Sequence, residues 1–215
     1  MAKGRFIVLE GGEGTGKSTL VKSLVAHYTN LHTADSTAHR AVIGCRDPGG
    51  SPGAEAIRQL AVTGTADRWD PDVELLLYSA ARLDLIRRTI RPALEAGHLV
   101  ICDRFTTSTR VYQTRQSDAN RSALVEETIE MFTDGIVPDT VLVLDGPVEV
   151  TLPRAKSRIG NETRFESMDV SFHQYVRDKY RLMAQCYAFN HVIIDATESI
   201  ETILQKAIDH VDYVL

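Results

Sequence analysis

Short apolar runs alternate along this chain with longer segments in which apolar residues recur at helical spacing. The short runs predict five strands that are apolar on both faces, as strands covered by helices on each side should be. These strands span residues 6–10, 41–45, 98–102, 140–144 and 191–194. Alternation of this kind is typical of an α/β fold with a parallel sheet.

The segments between the strands predict seven helices, which would cover both faces of the sheet. They span residues 17–28, 53–63, 72–96, 121–132, 148–156, 170–189 and 200–211. The polar segment 31–39 predicts a surface loop, and the irregular stretch at about 157–167 predicts a mobile lid. We therefore predict one domain over residues 1–215, with a five-stranded parallel sheet, helices on both faces and a short lid.

The helix that begins near Asp72 is apolar almost all the way round. A helix of this kind is buried on every face. In a single domain it is therefore either a central helix or one shared with a second subunit, and we expect a homodimer. Its apolar residues are Val73, Leu75, Leu76, Leu77, Tyr78, Ala80, Ala81, Leu83, Leu85 and Ile86.

Composition and charge narrow the class of protein. A hydrophobic content of 43% and a charged content of 25% are ordinary for a globular protein. The net charge of −5 argues against a nucleic-acid surface covering the whole protein, although it allows a small basic site for a phosphorylated ligand.

Several features point to a cytoplasmic protein without a membrane partner. No stretch approaches the ~20 apolar residues of a membrane span, and the N-terminus lacks the apolar run of a signal peptide. Cys45, Cys102 and Cys186 do not have metal-ligand spacing, so we expect reduced thiols packed as small apolar groups.

A glycine-rich motif follows the first predicted strand and opens the first predicted helix. Residues 11–19, GGEGTGKST, match G-x-x-x-x-G-K-[ST], in which backbone N–H groups and the helix N-terminus cradle phosphate oxygens. We expect Lys17 to bridge the outer phosphates and Ser18 to offer its hydroxyl to Mg²⁺. A turn that merely caps a helix would need neither residue. The predicted phosphate-binding residues are Gly11, Gly12, Glu13, Gly14, Thr15, Gly16, Lys17, Ser18 and Thr19.

Three classes of P-loop protein compete at this point. A GTPase needs an Asn-Lys-x-Asp motif, and a motor or transporter ATPase needs an apolar strand that ends in an acidic pair; the sequence has neither. A small-molecule kinase needs a second pocket for the phosphate acceptor. Residues 46–50, RDPGG, and the pair Asp103–Arg104 each follow a predicted strand, at the sheet edge where ligands of α/β proteins bind. These segments favour a kinase.

Four segments resemble the signatures of the thymidylate kinase family, in the family's order and spacing. They are residues 46–50 (RDPGG), 78–82 (YSAAR), 103–108 (DRFTTS) and 112–113 (YQ). The likeness extends from Gly4 to about Leu204. It implies Mg²⁺-dependent transfer of the γ-phosphoryl group of ATP to dTMP, giving dTDP and ADP for dTTP synthesis, in a homodimer.

The resemblance assigns residues to the acceptor phosphate and to the metal. Arg46 and Arg104 would grip the dTMP phosphate, and Arg104 would also act in catalysis. Asp103 would serve the metal together with Ser18. Glu10 would lie near the acceptor sugar and the metal.

The resemblance also assigns residues to the base and the sugar of the acceptor. Tyr78 would stack on the base, and Arg82, one helical turn later, would donate to a base carbonyl. Tyr112 would lie near the deoxyribose and disfavour a 2′-hydroxyl. The base edge would be read by Ser108 or Thr109 and by Gln113, whose amide both donates and accepts.

Three positions depart from the family pattern. Asp47 stands where the family has Glu, Tyr78 where it has Phe, and Phe105 where it has Tyr. The acceptor therefore has an alternative, another pyrimidine nucleotide or a deoxynucleoside such as dUMP, UMP, CMP or thymidine. A second alternative comes from a different class of protein: a regulator that binds nucleotide but does not turn it over.

The lid region is rich in cations, whereas the P-loop carries Glu13 between its glycines. Because phosphoryl transfer accumulates negative charge, we expect a catalytic arginine from the lid. Arg154 and Arg158 lie one helical turn apart, so we assign catalysis to Arg158 with Arg154 behind it, and Arg164 as the reserve. The alternative is a solvated basic helix end beside the helix dipole.

Overall fold

The computed structural model describes residues 4–34, 41–65, 67–115, 119–157 and 164–215. Within them, five strands form one sheet in the order β2-β3-β1-β4-β5, and every neighbouring pair is parallel. The predicted α/β class and all five predicted strands are confirmed. The strands are β1 (Arg5–Gly11), β2 (Val42–Arg46), β3 (Leu99–Asp103), β4 (Thr140–Asp145) and β5 (His191–Asp195).

Helices cover both faces of this sheet. A π-helical turn, Ile86–Ile90, joins the third helix to the fourth. The helices in the described part are α1 (Lys17–Ala34), α2 (Pro52–Ala61), α3 (Pro71–Leu85), α4 (Arg91–Glu95), α5 (Thr106–Tyr112), α6 (Ala119–Thr133), α7 (Val148–Lys156), α8 (Val170–Cys186) and α9 (Ile200–Val214). None of them is long and apolar enough to cross a membrane.

Alternate residues of the central strand β1 point into two separate hydrophobic cores, because successive side chains of a strand point to opposite faces of the sheet. Ile7 and Leu9 point into a core closed by α1 and α9. Phe6 and Val8 point into a larger core on the opposite face, closed by α3, α4 and α8 among others. Burial on both faces explains why the strands read as unbroken apolar runs.

Three helix predictions are corrected by the structure. The predicted helix 17–28 continues to Ala34, into the segment 31–39 that was predicted as a loop; residues 35–40 lie outside the described residues. The predicted helix 72–96 contains the π-helical turn, and the predicted helix 170–189 ends at Cys186.

Helix α5 was not predicted, because its opening residues TTST favour loops over helices. Its first turn is held by the buried carboxylate of Glu10, which accepts hydrogen bonds from the backbone N–H groups of Phe105 (2.9 Å) and Ser108 (3.0 Å). A contact nearly a hundred residues away in sequence thus supplies what local propensity lacks.

The apolar helix α3 is not buried on every face within one chain. Leu75 and Leu85 are buried, but Val73 is 41% exposed and Leu76 is 55% exposed. Of the two alternatives drawn from the sequence, the wholly internal helix is therefore wrong.

Parallel pairing places the predicted site residues at one edge of the sheet. Arg46 of β2 lies in register with Asp103 of β3, which in turn pairs with Leu9 of β1, just before the glycine-rich loop. The carboxyl ends of β1, β2 and β3 therefore meet where ligands of open α/β sheets bind.

Candidate active site

A cavity of about 200 Å³ opens at this edge between the glycine-rich loop, α3 and α5. It brings together most of the side chains that the sequence singled out, although they come from segments far apart in the chain. The predicted residues that line it are Glu13, Lys17, Ser18, Arg46, Tyr78, Arg82, Asp103, Arg104, Ser108, Thr109, Tyr112 and Gln113.

The glycine-rich loop is folded around the ammonium group of Lys17. Its Nζ donates to the backbone carbonyls of Gly11 (3.0 Å) and Gly12 (2.7 Å). Burial and the nearby Arg104 lower the pKa of Lys17 to about 8. Gly14 has a φ of +73°, and a Cβ there would lie 1.9 Å from the carbonyl oxygen of Thr151, so no larger residue fits.

Ser18 and Asp103 place two side-chain oxygen atoms side by side. The Ser18 hydroxyl donates to Asp103 Oδ2 over 2.5 Å, from the start of α1 to the end of β3. Hard oxygen donors beside a phosphate site fit Mg²⁺, which is usually held by one or two carboxylates, water and substrate phosphates. Across the described ranges no cluster of three or more His, Cys, Asp or Glu side chains offers an all-protein metal site.

Arg104 is held in place by its backbone conformation and by several hydrogen-bond partners. Its backbone has a φ of +72°, a conformation that costs a non-glycine residue on the order of 1 kcal/mol and that persists where neighbours fix it. The guanidinium Nη1 donates to Gly11 O (3.0 Å), to Ser108 Oγ (3.1 Å) and to the hydroxyl of Tyr180 (2.8 Å). Tyr180, on α8, is a site residue that sequence reasoning missed.

Glu13 ties the glycine-rich loop to the acceptor side of the cavity. Its Oε1 accepts from Arg104 Nη2 and from the Tyr112 hydroxyl, each at 2.8 Å. Burial alone would raise the pKa of Glu13, but the charges of Arg104 and Lys17 and the Tyr112 hydrogen bond hold it at about 2. The Glu13 carboxylate is therefore ionised at neutral pH and neutralises much of the Arg104 charge.

Glu10 lies next to the cavity residue Ser108 without itself reaching the cavity. It is fully buried and does not line the cavity. Besides holding the start of α5, its Oε2 accepts from Ser108 Oγ (2.6 Å) and Tyr180 OH (3.1 Å). These four hydrogen bonds all come from protein groups, so in this structure Glu10 supports the side chains around Arg104; its role toward the acceptor sugar and the metal stays a prediction.

Arg82 lines the cavity, as does Tyr78 one helical turn before it on α3. Its Nε donates to Asp47 Oδ2 (2.5 Å), while Nη2 donates to Phe105 O (3.2 Å) and Thr109 Oγ1 (2.7 Å). Asp47, one of the departures from the family pattern, is thus the buried partner of Arg82. The aromatic ring of Tyr78 packs beside Phe165 at the cavity wall.

Arg46 reaches the cavity from the end of β2. Its guanidinium forms a forked ion pair with Glu55, at 2.8 Å and 3.2 Å, and Glu55 Oε1 also accepts from the Gly50 backbone at 2.8 Å. The turn 46–50 is therefore fixed to the start of α2, which holds Arg46 toward the cavity.

Two of the three predicted lid arginines lie in the described part of the chain, and their surroundings differ. Arg158 lies outside the described residues, which omit 158–163. Arg154 is exposed on α7, donates to Ala196 O at 3.1 Å and does not line the cavity. Arg164 is buried and donates to Ala61 O (3.0 Å) and Thr65 O (3.2 Å), so it anchors the chain in this structure; its reserve catalytic role stays a prediction.

Phe165 is a further cavity residue that sequence reasoning missed. It follows the anchored Arg164, and its ring lies 5.2 Å from that of Tyr112 and 6.2 Å from that of Phe172. One feature of the sequence could have indicated this role: Phe165 is the one aromatic residue in the segment 157–167.

Comparison with known proteins agrees with the motifs and the fold. The family model described as thymidylate kinase matches residues 9–207. A thymidylate kinase of Caulobacter vibrioides is 46% identical over 203 residues, which are 94% of this chain and 93% of that one. A thymidylate kinase of Nitrobacter winogradskyi is 42% identical over 207 residues, 95% of this chain and 86% of that one.

A solved structure is similar over nearly the whole fold. The crystal structure of thymidylate kinase from Ehrlichia chaffeensis superimposes with a TM-score of 0.75, at 24% identity, and the match covers 98% of this chain and 99% of that one. At that identity the likeness speaks for the fold alone. Because the family model spans most of its length and relatives above 40% identity cover nearly all of it, the chain belongs to the thymidylate kinase family.

Proposed function

We propose that the cavity binds dTMP beside an ATP held by the glycine-rich loop. The enzyme transfers the γ-phosphoryl group of ATP to dTMP, giving dTDP and ADP. One observation carries the placement: the segment Asp103–Arg104 touches both halves of the site. Asp103 meets Ser18 at 2.5 Å on the donor side, and Arg104 meets Glu13 at 2.8 Å in the acceptor cavity.

On the donor side the loop residues 11–19 would hold the ATP phosphates through backbone N–H groups and the N-terminus of α1. Lys17 then leaves its loop carbonyls for the outer phosphates. Ser18 and Asp103 would hold Mg²⁺, which when bound neutralises charge on the phosphate oxygens. The protein's own task is chiefly to position the donor and the acceptor in line.

On the acceptor side Arg46 and Arg104 would bind the dTMP phosphate, because both guanidinium groups reach the cavity close to the loop. Tyr78 would stack on the base, with Arg82 beneath it. The Tyr112 hydroxyl is already bound to Glu13, which fixes the ring where the deoxyribose would pass.

The acceptor assignment is tested by ADP release with dTMP, dUMP, UMP, CMP and thymidine as competing acceptors. We expect the highest kcat/KM for dTMP, in the presence of Mg²⁺. A higher kcat/KM for UMP or thymidine would contradict the assignment of the cavity to dTMP. Reactions without an acceptor give the baseline, and turnover above it separates an enzyme from a nucleotide-binding regulator.

We also propose a homodimer that pairs through α3. Val73, Leu76 and Ala80 are exposed at helical spacing, and half-buried Leu77 and Leu83 continue the same strip. An exposed apolar strip of this kind is a common feature of a subunit interface.

Sedimentation at micromolar concentration should give about twice the chain mass of 23.8 kDa. Leu76→Glu should shift the protein to monomer, since it places a charge in the strip. Leu31→Glu, at a similarly exposed leucine on α1, should leave the dimer intact. A wild-type protein that sediments as a monomer would refute this proposal.

We place this reaction in the cytoplasm. Cys45, Cys102 and Cys186 are all unpaired thiols in the structure. Unpaired cysteines are what a reducing compartment maintains.

A further inference from the structure

A buried carboxylate, Glu74, lies directly behind the wall of the acceptor cavity. It sits on α3 one turn before Tyr78, is 1% exposed and does not line the cavity. Its Oε1 accepts from Gln113 Nε2 (2.9 Å) and from Arg115 Nη1 (2.8 Å), and its Oε2 pairs with Arg164.

The Glu74 side chain is ionised. Burial by itself would raise its pKa, but the hydrogen bonds from Arg115 and Gln113 and the charge of Arg164 outweigh burial, so the pKa lies below its ordinary value. An ionised carboxylate accepts hydrogen bonds and donates none. Glu74 therefore specifies which end of a neighbouring amide faces it.

That neighbour is Gln113, a residue of the cavity wall. Its NH₂ group faces Glu74, because turning the amide over would set its carbonyl oxygen against a carboxylate. The remaining polar atom of the side chain is Oε1, an acceptor. In the part of the chain that the structure describes, no group donates to this Oε1, so it is available to a ligand.

The same cavity holds a group of the opposite kind. Arg82 is a permanent donor, and Asp47, Phe105 and Thr109 fix its guanidinium through Nε and Nη2. The site thus offers a fixed donor and a fixed acceptor. Thymine and uracil carry the matching pair, a C4 carbonyl and an N3–H, whereas cytosine carries a C4 amino group and a bare N3.

We propose that Glu74 is a positioning residue for base discrimination: by holding the Gln113 amide in one orientation, it makes the cavity accept imide pyrimidines and reject cytosine. This inference rests on the proposed function, which places the acceptor base in the cavity. Sequence reasoning left the Gln113 amide free to donate or accept, and the buried partner removes that freedom.

The sharpest test compares dUMP with dCMP, which differ at C4 and N3 but not in the methyl group or the sugar. In Glu74→Gln the new amide either donates or accepts, so the orientation of Gln113 is no longer fixed. The ratio of kcat/KM for dUMP over dCMP should fall by roughly ten- to a hundredfold, the usual effect of an unpaired buried polar group. KM for ATP should change little.

A double-mutant cycle separates positioning from a merely structural role. Gln113→Leu should lower the same ratio, and adding Glu74→Gln to it should lower the ratio no further. Independent losses that multiply would overturn the inference. Tyr28→Phe removes a 2.7 Å hydrogen bond to Asp212, on the face of the sheet covered by α1 and α9, and serves as the stability control with an unchanged ratio.

Glu74 also pairs with Arg164 and Arg115, so Glu74→Gln removes two ion pairs of a buried carboxylate and could prevent folding. A measurement on the wild-type enzyme tests the inference without that variant. The side-chain NH₂ resonances of Gln113, identified by their loss in Gln113→Leu, should exchange slowly with solvent even without nucleotide. Fast exchange would mean that the NH₂ group faces the open cavity, which overturns the inference.

The outcomes distinguish this inference from the proposed function. A wild-type enzyme that phosphorylates none of the pyrimidine deoxynucleotides refutes the proposed function. A wild-type enzyme that prefers dUMP to dCMP, with the same preference in folded Glu74→Gln, refutes the role of Glu74 alone.

Discussion

Replacing Arg104 with methionine should lower kcat/KM for dTMP by about 10³-fold, the largest loss we expect from any described side chain. The guanidinium contacts the glycine-rich loop at Gly11 O (3.0 Å) and lines the cavity, and we propose that it lies beside both phosphates. Methionine keeps much of the buried volume but removes the charge and every donor.

The same replacement should also destabilise the fold. Glu13, whose side chain is 16% exposed, would lose its 2.8 Å ion pair with Arg104 and keep the hydrogen bond from Tyr112, so we expect a cost of about 1–3 kcal/mol. The pKa of Glu13 is lowered from 4.5 to about 2, so its stabilising effect is present above pH 4.5 and is lost as the pH falls toward 2. In Arg104→Met this acid-dependent stabilisation should be largely absent.

Arg110→Met is the matched control. Arg110 lies on α5, which begins two residues after Arg104. It pairs with the exposed Glu126 at 2.7 Å and does not line the cavity. It should leave kcat/KM near the wild-type value. Steady-state ADP release and urea unfolding at pH 3, 5 and 7 measure both effects. A kcat/KM within tenfold of wild type for Arg104→Met would contradict its proposed place between the phosphates.

Arg158→Ala should lower kcat by about 10²–10⁴-fold while dTMP affinity hardly changes, as expected for a cation that acts mainly in the transition state. The ion pair of Glu13 adds a reason to expect a catalytic cation from outside the glycine-rich loop. The carboxylate of Glu13 is paired with Arg104, and Lys17 is the cation that we propose the glycine-rich loop brings to the transferred group. Further positive charge has to come from elsewhere, and Arg158 is the proposed source.

Arg154→Ala and Arg164→Ala are informative comparisons for Arg158. Arg154 donates to a carbonyl after β5, so its loss should lower kcat less than the loss of Arg158. Arg164 is buried against α2 and α3, so its replacement should reduce the free energy of unfolding first. Near-wild-type kcat in both Arg154→Ala and Arg158→Ala would refute the proposed lid-arginine mechanism.

Motifs whose chemistry is local were predictable from the sequence. The glycine-rich loop needs Gly14 for its backbone conformation and Lys17 for its charge, and both residues lie within one short segment, 11–19. The carboxyl-edge placement of Arg46 and Asp103 followed from parallel strands, because such strands end at the same side of a sheet. The roles of these side chains toward substrate remain predictions.

Features that depend on distant partners were not predictable. The Thr-rich opening of α5 reads as a loop because its helix-stabilising acceptor, Glu10, is far away in sequence. Arg164 reads as one more lid cation, since its burial against Glu74 depends on how the chain folds back. Phe165 becomes a cavity wall for the same reason.

The sequence by itself determined the α/β class, the phosphate loop and the group of side chains that would meet at one sheet edge, because strand burial and loop geometry are imposed over short stretches. The tertiary structure alone decided the state of each of those groups. Burial and charge fixed Glu13 as an ionised partner of Arg104, Asp47 as the partner of Arg82, and the Gln113 amide as a donor to Glu74. Such assignments depend on donors and acceptors brought together from remote segments, where a low dielectric makes each unpaired group costly.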